Sequence, residues 1–334
     1  MDLPQTNYAC GFDITRSSHV VLTVTDIAAS RAFYVDTLGF VVTDETSDTL
    51  WLRGLEEACH HSIVLQKGEE AGCERIGLRT FTEQDLERVE YRFRSRGLPT
   101  NWVEVAGQAR TVHTEDAVGT PLEFCASMEV QPRMIMQVAA FRGAAPQRMD
   151  HFQIYTPHVA RATRFYADMG FRLSEYVVPD DASEGLVMSF LNRKGNPHDI
   201  VFAHGDGPRM HHMAFTVPEV AHLMVVADWC AQNDFGTSVE YGPCRHFGPG
   251  HARFLYLTDP DGHRIELFPN HYQTMDIEDA PVRWTVEMLN GQSGWGPPPP
   301  SSWFDRASTF VGRDVVAAYT PENMNTWAKA SAVP

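Results

Sequence analysis

The chain repeats itself, and that constrains its fold more than any other feature. His19–Phe40 reads HVVLTVTDIAASRAFYVDTLGF and His151–Phe171 reads HFQIYTPHVARATRFYADMGF. Each opens on a histidine and an apolar strand, continues through an amphipathic stretch ending in Phe-Tyr, and reaches Gly-Phe a turn later. HSIVLQKG from His61 is echoed by HDIVFAHG from His198, and DAVGTPLEF at Asp116–Phe124 by DPDGHRIELF at Asp259–Phe268. Self-similarity on this scale means two homologous halves, each building its own core. We place them at residues 15–127 and 148–270.

Each half divides again. His151–Gly205 reads as a strand, a helix over Val159–Met169, and strands at Leu186–Asn192 and Asp199–Ala203. From His212 the pattern recurs: a strand to Val217, a helix over Val220–Asn233, and strands at Arg253–Thr258 and Arg264–Phe268. Turn signals such as Gly195-Asn196-Pro197 and Asp261-Gly262 fall between them. The expected architecture is α+β: two domains, each of two βαβββ units whose sheets curve around a cleft. Residues 271–334 form a tail, extended over the surface because Pro297–Pro300 fits neither helix nor central strand. Its last residues are expected to be disordered.

Composition excludes several functions. Lys and Arg total 27 against 43 Asp and Glu, a net charge of −16, which argues against nucleic acid or an anionic membrane as partner. No apolar run nears the ~20 residues of a membrane span, and the first residues lack the basic start and apolar core of a secretory leader. Six scattered cysteines without a CxxC pair suggest neither disulfides nor a thiolate metal site. A cytoplasmic protein is expected.

His151 and His212 open the first strands of the two C-terminal units, and Glu266 lies in the closing strand. A lone histidine at a strand start is usually structural. On equivalent strands of paired units, however, these three can converge on one concave face. Two imidazoles and a carboxylate on one side of an ion leave positions open for substrate and oxygen, as in iron(II) oxygenases. The other half serves as a control: His19 and Glu123 match His151 and Glu266, but Arg75 stands opposite His212. The N-terminal domain should hold no metal. Alternation along a strand lets only one of His211 and His212 point inward, and the repeat selects His212.

DHFQIYTP, HDIVFAHGDGPRMHHMAF, GPCRHFGPG and LYLTDPDGHRIELF together resemble the type I extradiol ring-cleaving dioxygenases of the vicinal oxygen chelate superfamily. The chain is most similar to the branch that includes the homoprotocatechuate 2,3-dioxygenases. The resemblance implies metal ligands His151, His212 and Glu266, with iron(II) as cofactor and manganese(II) as the alternative. It implies a catechol and O2 as substrates, a 2-hydroxymuconic-semialdehyde-type product, aromatic catabolism and a homotetramer. His198 matches the family's acid/base histidine, His246 a second histidine near the pocket, and Tyr256 a tyrosine hydrogen-bonded to the catecholate. An imidazole at His198 with an ordinary pKa near 6.5 would take a catechol proton and later return it.

Four pocket positions depart from the pattern. Gln153 replaces an asparagine, Phe190 a tryptophan and Tyr241 an arginine, and the tail around Trp295 lacks the family's arginine pair. A substrate carboxylate would therefore lack partners. We expect a catechol with a neutral substituent, walled by Gln153, Phe190, Tyr241 and Trp295. Arg209 and Arg245 are read as solvated or structural, His204 and His263 as surface residues, and His60 and His61 as relics or packing. The competing readings are a 4-hydroxyphenylpyruvate dioxygenase-like oxygenase and a non-catalytic aromatic-ligand-binding protein of the same fold.

Overall fold

The computed structural model describes residues 2–179, 185–246, 248–290 and 294–318. The first unit runs β1 (Ile14–Val24), α1 (Ile27–Arg31), β2 (Val41–Glu45), β3 (Thr49–Arg53) and β4 (Ile63–Lys67). The second runs β5 (Gly72–Thr80), α2 (Glu83–Ser95), β6 (Thr100–Val103), β7 (Thr111–Glu115) and β8 (Pro121–Cys125). The third comprises β9 (Arg148–Thr156), α3 (Val159–Asp168), β10 (Arg172–Val178), β11 (Met188–Asn192) and β12 (Ile200–His204). The fourth is β13 (Arg209–Thr216), α4 (Ala221–Gln232), β14 (Val239–Arg245), β15 (Arg253–Thr258) and β16 (Arg264–Phe268). All four are βαβββ units, the α+β repeat that the sequence implies.

Each half is one sheet in which β1 and β5, or β9 and β13, run antiparallel at the centre. The fourth strand of every unit pairs parallel with its first, so β4 flanks β1, β8 flanks β5, β12 flanks β9 and β16 flanks β13. Local chemistry fixes the ends of the elements. Thr82 and Asp85 form a reciprocal capping box at the start of α2. On α3, Ala162, Phe165 and Tyr166 lie at helical spacing and are buried in the core.

Two buried tyrosines tie the halves together reciprocally. Tyr34 donates its hydroxyl to Asp259 of the other half at 2.9 Å, and Tyr166 donates to Asp116 at 3.2 Å. These are the tyrosines of the repeated Phe-Tyr and the aspartates of the repeated turn, so the repeat also generates the interface.

Burial pushes the Asp116 carboxyl up to about 6, although N–H groups of Thr120 and Val118 pull it back. A folded-state pKa above the unfolded value means that the folded protein binds more protons between about pH 4 and pH 6. Asp116 therefore costs stability as pH rises through that window, by roughly 2–3 kcal/mol in all. Asp116→Asn keeps one acceptor and removes the titration. Its unfolding free energy relative to the parent should rise by about that amount from pH 4 to pH 7. A constant difference across that range in denaturant titrations would contradict the assignment.

Three expectations need correction. The strands carrying His151 and His212 begin three residues earlier than expected, at Arg148 and Arg209, so both histidines sit within strands. The tail is not simply extended. Beyond residue 270 it forms β17 (Val282–Thr285), α5 (Val286–Asn290), α6 (Ser301–Asp305) and β18 (Ser308–Thr309). β17 extends the sheet beside β10, β18 pairs with the start of β13, and Phe310 is buried beside Cys73 of the other half. Apolar Trp303 and Phe310 gain more from burial than the proline run loses. The expected disorder at the C-terminus falls outside the described residues. His263 is buried rather than at the surface, bonded to Ser308 and to the Thr23 carbonyl across the interface. Among the described residues no helix is long and apolar enough to cross a membrane.

Candidate metal centre

His151 on β9, His212 on β13 and Glu266 on β16 come together because their strands are neighbours in register. Ala214 pairs with both His151 and Glu266, and His212 pairs with Gln153. His151 Nε2 and His212 Nε2 each lie 3.2 Å from Glu266 Oε2 and 3.3 Å from each other. All three side chains are buried, and their ligand atoms fall within 4.8 Å of one another.

Buried groups should be paired, and here the pairing leaves the inward nitrogens free. His151 Nδ1–H donates to Asp150 at 2.9 Å. That aspartate also accepts from Asn196 at 2.9 Å, and Lys194 lies 3.8 Å away. Lys194 and His151 outweigh burial and hold the Asp150 carboxyl well below its ordinary range. A carboxylate behind a histidine fixes its tautomer and strengthens Nε2 as a ligand. Burial pushes the Glu266 carboxyl up, but the imidazoles of His151, His212 and His246 around it more than offset this and hold it well below its ordinary range. Burial lowers His212 to about 4 despite Glu266. Two imidazoles and one carboxylate, with no thiolate, form a donor set suited to a divalent first-row ion. The residues fit the metal that the fold implies.

The remaining sequence candidates surround this centre. His198, buried just before β12, has its ring 4.2 Å from that of His151, and among the described residues its Nδ1 has no hydrogen-bond partner. Burial, with His151 and His271 alongside, holds it well below its ordinary value, not near 6.5 as expected. It is therefore neutral. Tyr256 on β15 faces His212 with rings 5.2 Å apart, and burial beside Glu266 pushes its pKa well up, so it stays protonated. His246 Nε2 lies 3.2 Å from the Tyr256 hydroxyl and 3.5 Å from Glu266.

Gln153 is buried on β9 on the same face as His151, and the Phe190 ring packs 5.4 Å from His198. Tyr241 stacks parallel to Tyr256 at 5.9 Å. The structure does not bring Trp295 into this group in the same way. Its ring is 48% exposed, while its carbonyl accepts from Arg245 N–H.

Sequence reasoning missed His271. It is buried just after β16, stacked on Phe268 at 4.1 Å and 4.6 Å from His198, so that His151, His198 and His271 form a second histidine cluster. The signal was present in FPNHYQT, since a histidine three residues after a buried closing strand stays near that strand's end. Glu175 was missed as well. Buried on β10, it accepts from Gly250 N–H, the Tyr272 hydroxyl and Trp284 Nε1, and so holds the loop after His246 against the tail. Nothing in its alternating strand distinguished it.

The matching position in the N-terminal half is filled by its own side chains. His19 Nε2 and His113 Nε2 each lie 2.6 Å from Glu123, Gln108 donates to it at 2.5 Å, and Arg75 stands 3.7 Å away. Gly77 replaces Ala214, and the His19 ring occupies the space where a Cβ would be. His61, the counterpart of His198, is buried with its Nε2 unpaired. A guanidinium in place of the second imidazole neutralises Glu123 directly.

Comparison with known proteins agrees with this geometry. The model of the Glyoxalase/Bleomycin resistance protein/Dioxygenase superfamily matches residues 16–124 and 148–267. A manganese-dependent 2,3-dihydroxybiphenyl 1,2-dioxygenase from Geobacillus genomosp. 3 is 28% identical over 85% of this chain and 95% of its own. A metapyrocatechase from Geobacillus stearothermophilus is 26% identical over 91% and 97%. The homoprotocatechuate 2,3-dioxygenase of Brevibacterium fuscum, solved in complex with 3,4-dihydroxyphenylacetate, superposes with a TM-score of 0.88. It is 32% identical over 94% of this chain and 100% of that one. The chain belongs to this superfamily and, within it, to the extradiol ring-cleaving catechol dioxygenases.

Proposed function

We propose that the C-terminal domain, residues 148–270, is the catalytic one, with His151, His212 and Glu266 holding iron(II). The N-terminal domain, 15–127, and the tail, 271–334, support it. The observation that carries this reading is the convergence of two imidazoles and a carboxylate beside a neutral His198 whose Nδ1 has no partner among the described residues. A divalent ion held by His151, His212 and Glu266 would supply Lewis-acid and redox chemistry for a catechol and O2. Iron(II) is the better choice over manganese(II) for O2 chemistry at this donor set, although a relative is named as manganese-dependent.

The protein's side chains do the rest. Neutral His198 accepts a catechol proton on its imidazole and returns it as the ring opens. Tyr256, kept protonated, donates to a catecholate oxygen, and His246 orients its hydroxyl. Phe190, Gln153 and Tyr241 shape the ring site and limit water. The ring bond beside the diol breaks, and both atoms of O2 remain in the 2-hydroxymuconic-semialdehyde-type product. The reading includes a soluble, cytoplasmic homotetramer acting in aromatic catabolism.

Tyr241 beside Tyr256, in place of a cation, makes the pocket suited to a neutral ring substituent. Two nearby cations are already engaged: Arg264 with Glu240, and Lys194 with Asp199. An unpaired carboxylate costs about 1–3 kcal/mol or more, so kcat/KM for 4-methylcatechol should exceed that for 3,4-dihydroxyphenylacetate by about 10-fold or more. Oxygen uptake by anaerobically iron(II)-loaded protein across a panel of catechol, alkylcatechols, 3,4-dihydroxyphenylacetate and protocatechuate tests this. A wide preference for either acid would refute the substrate assignment.

A further inference from the structure

His211 and His212 are adjacent on β13, and simple alternation would send them to opposite faces. Instead both are buried, with ring centroids 5.0 Å apart and Nδ1 atoms 2.7 Å apart. A register shift between Met210 and His212 explains this, since His211 is the extra residue opposite the β9 pairing. Bulges re-aim side chains in this way.

Proton bookkeeping then assigns the tautomers. His211 Nε2 lies 2.7 Å from the carbonyl of Trp303, on α6. A carbonyl only accepts, so His211 Nε2 carries the proton. In the neutral ring, His211 Nδ1 is then a bare acceptor. The nitrogen facing it at 2.7 Å, His212 Nδ1, must be the donor. That leaves the lone pair of His212 on Nε2, the atom 3.2 Å from Glu266 and 3.3 Å from His151 Nε2.

The Trp303 carbonyl is itself held in place. Arg264, fully buried on β16 two residues before Glu266, forms a bidentate pair with Glu240. The same guanidinium donates to the carbonyls of His211, Ser302 and Arg306, clamping α6 onto the site strands. The positions of the N-terminal half that correspond to His211 and His212 are Glu74 and Arg75, which pair with each other.

We propose that His211, docked on the carbonyl of Trp303 in the tail, is a positioning residue that fixes His212 in its Nδ1–H tautomer. The C-terminal segment thereby becomes part of the metal site. This assignment rests on the reading of His212 as a ligand, but its tautomer can be measured without metal.

The test uses the full chain with 15N-labelled histidine and no metal. Long-range 15N–1H spectra should show His212 protonated at Nδ1 in the parent, and shifted toward Nε2–H in His211→Phe. Manganese(II) titration of the same samples should show affinity falling about 10- to 100-fold in His211→Phe. It should largely recover in His211→Asn, whose side-chain oxygen can accept from His212. Thermal melting checks that the variants fold. An Nε2–H tautomer in the parent would overturn the proposal whether or not a variant folds, as would equal manganese(II) affinity in parent and His211→Phe. Failure of the parent to bind manganese(II) or iron(II) would refute the metal reading, while the tautomer result would still decide the role of His211.

Discussion

His198→Phe is expected to lower kcat by about 10²- to 10⁴-fold, the usual contribution of a positioned acid/base group, with metal content unchanged. The ring of His198 lies 4.2 Å from that of His151, and among the described residues its Nδ1 makes no hydrogen bond. Phenylalanine keeps the packing against Phe190 and His271 while removing the imidazole nitrogens. The comparison is steady-state turnover of parent and variant, both iron-loaded and checked by metal analysis. Equal turnover would remove His198 from the chemistry. Equal loss of metal and activity would make it a determinant of metal binding instead.

Glu266→Gln should have the larger effect, reducing turnover by about 10³-fold or more because the ion's contribution of several kcal/mol is lost. The carboxylate is the only anion among the three inward ligands, and His151, His212 and His246 all converge on it. An amide cannot replace that charge, so stoichiometric metal should not be retained after desalting. The matched control is Glu123→Gln in the other half, where Arg75 and two histidines surround the carboxylate. That variant should keep full metal content and activity if it folds as judged by melting. Metal loss from the Glu123 variant, or metal retention by the Glu266 variant, would reverse the assignment of the two halves.

The contrast between those carboxylates shows how much of the centre was legible in the sequence. Repetition exposed the four units and, through Arg75 against His212, indicated which half could bind an ion. Strand pairing then reproduced the match, since Val21 faces Arg75 just as Gln153 faces His212. What the sequence did not disclose depends on contacts between distant segments. His263 looked like a surface residue in a turn, yet the other half and the tail cover it. His211 was set aside by strand alternation, and only the bulge returned it to the site. His271 follows β16 closely enough to be suspected from FPNHYQT, but its role comes from the curl of the chain back over Phe268. The tail's proline run was read correctly as irregular in itself, but Trp303 and Phe310 beyond it supply apolar anchors that a local reading does not weigh.

The central claim is that this centre opens catechol rings beside, not between, the hydroxyls. The most direct measurement is oxygen stoichiometry with product identification by mass spectrometry under 18O2, using iron(II)-loaded protein and 4-methylcatechol. The account predicts one O2 consumed per catechol and a yellow hydroxymuconic-semialdehyde-type product carrying both labelled atoms. A colourless muconic diacid, a quinone without incorporated label, or no oxygen uptake despite stoichiometric iron would contradict it.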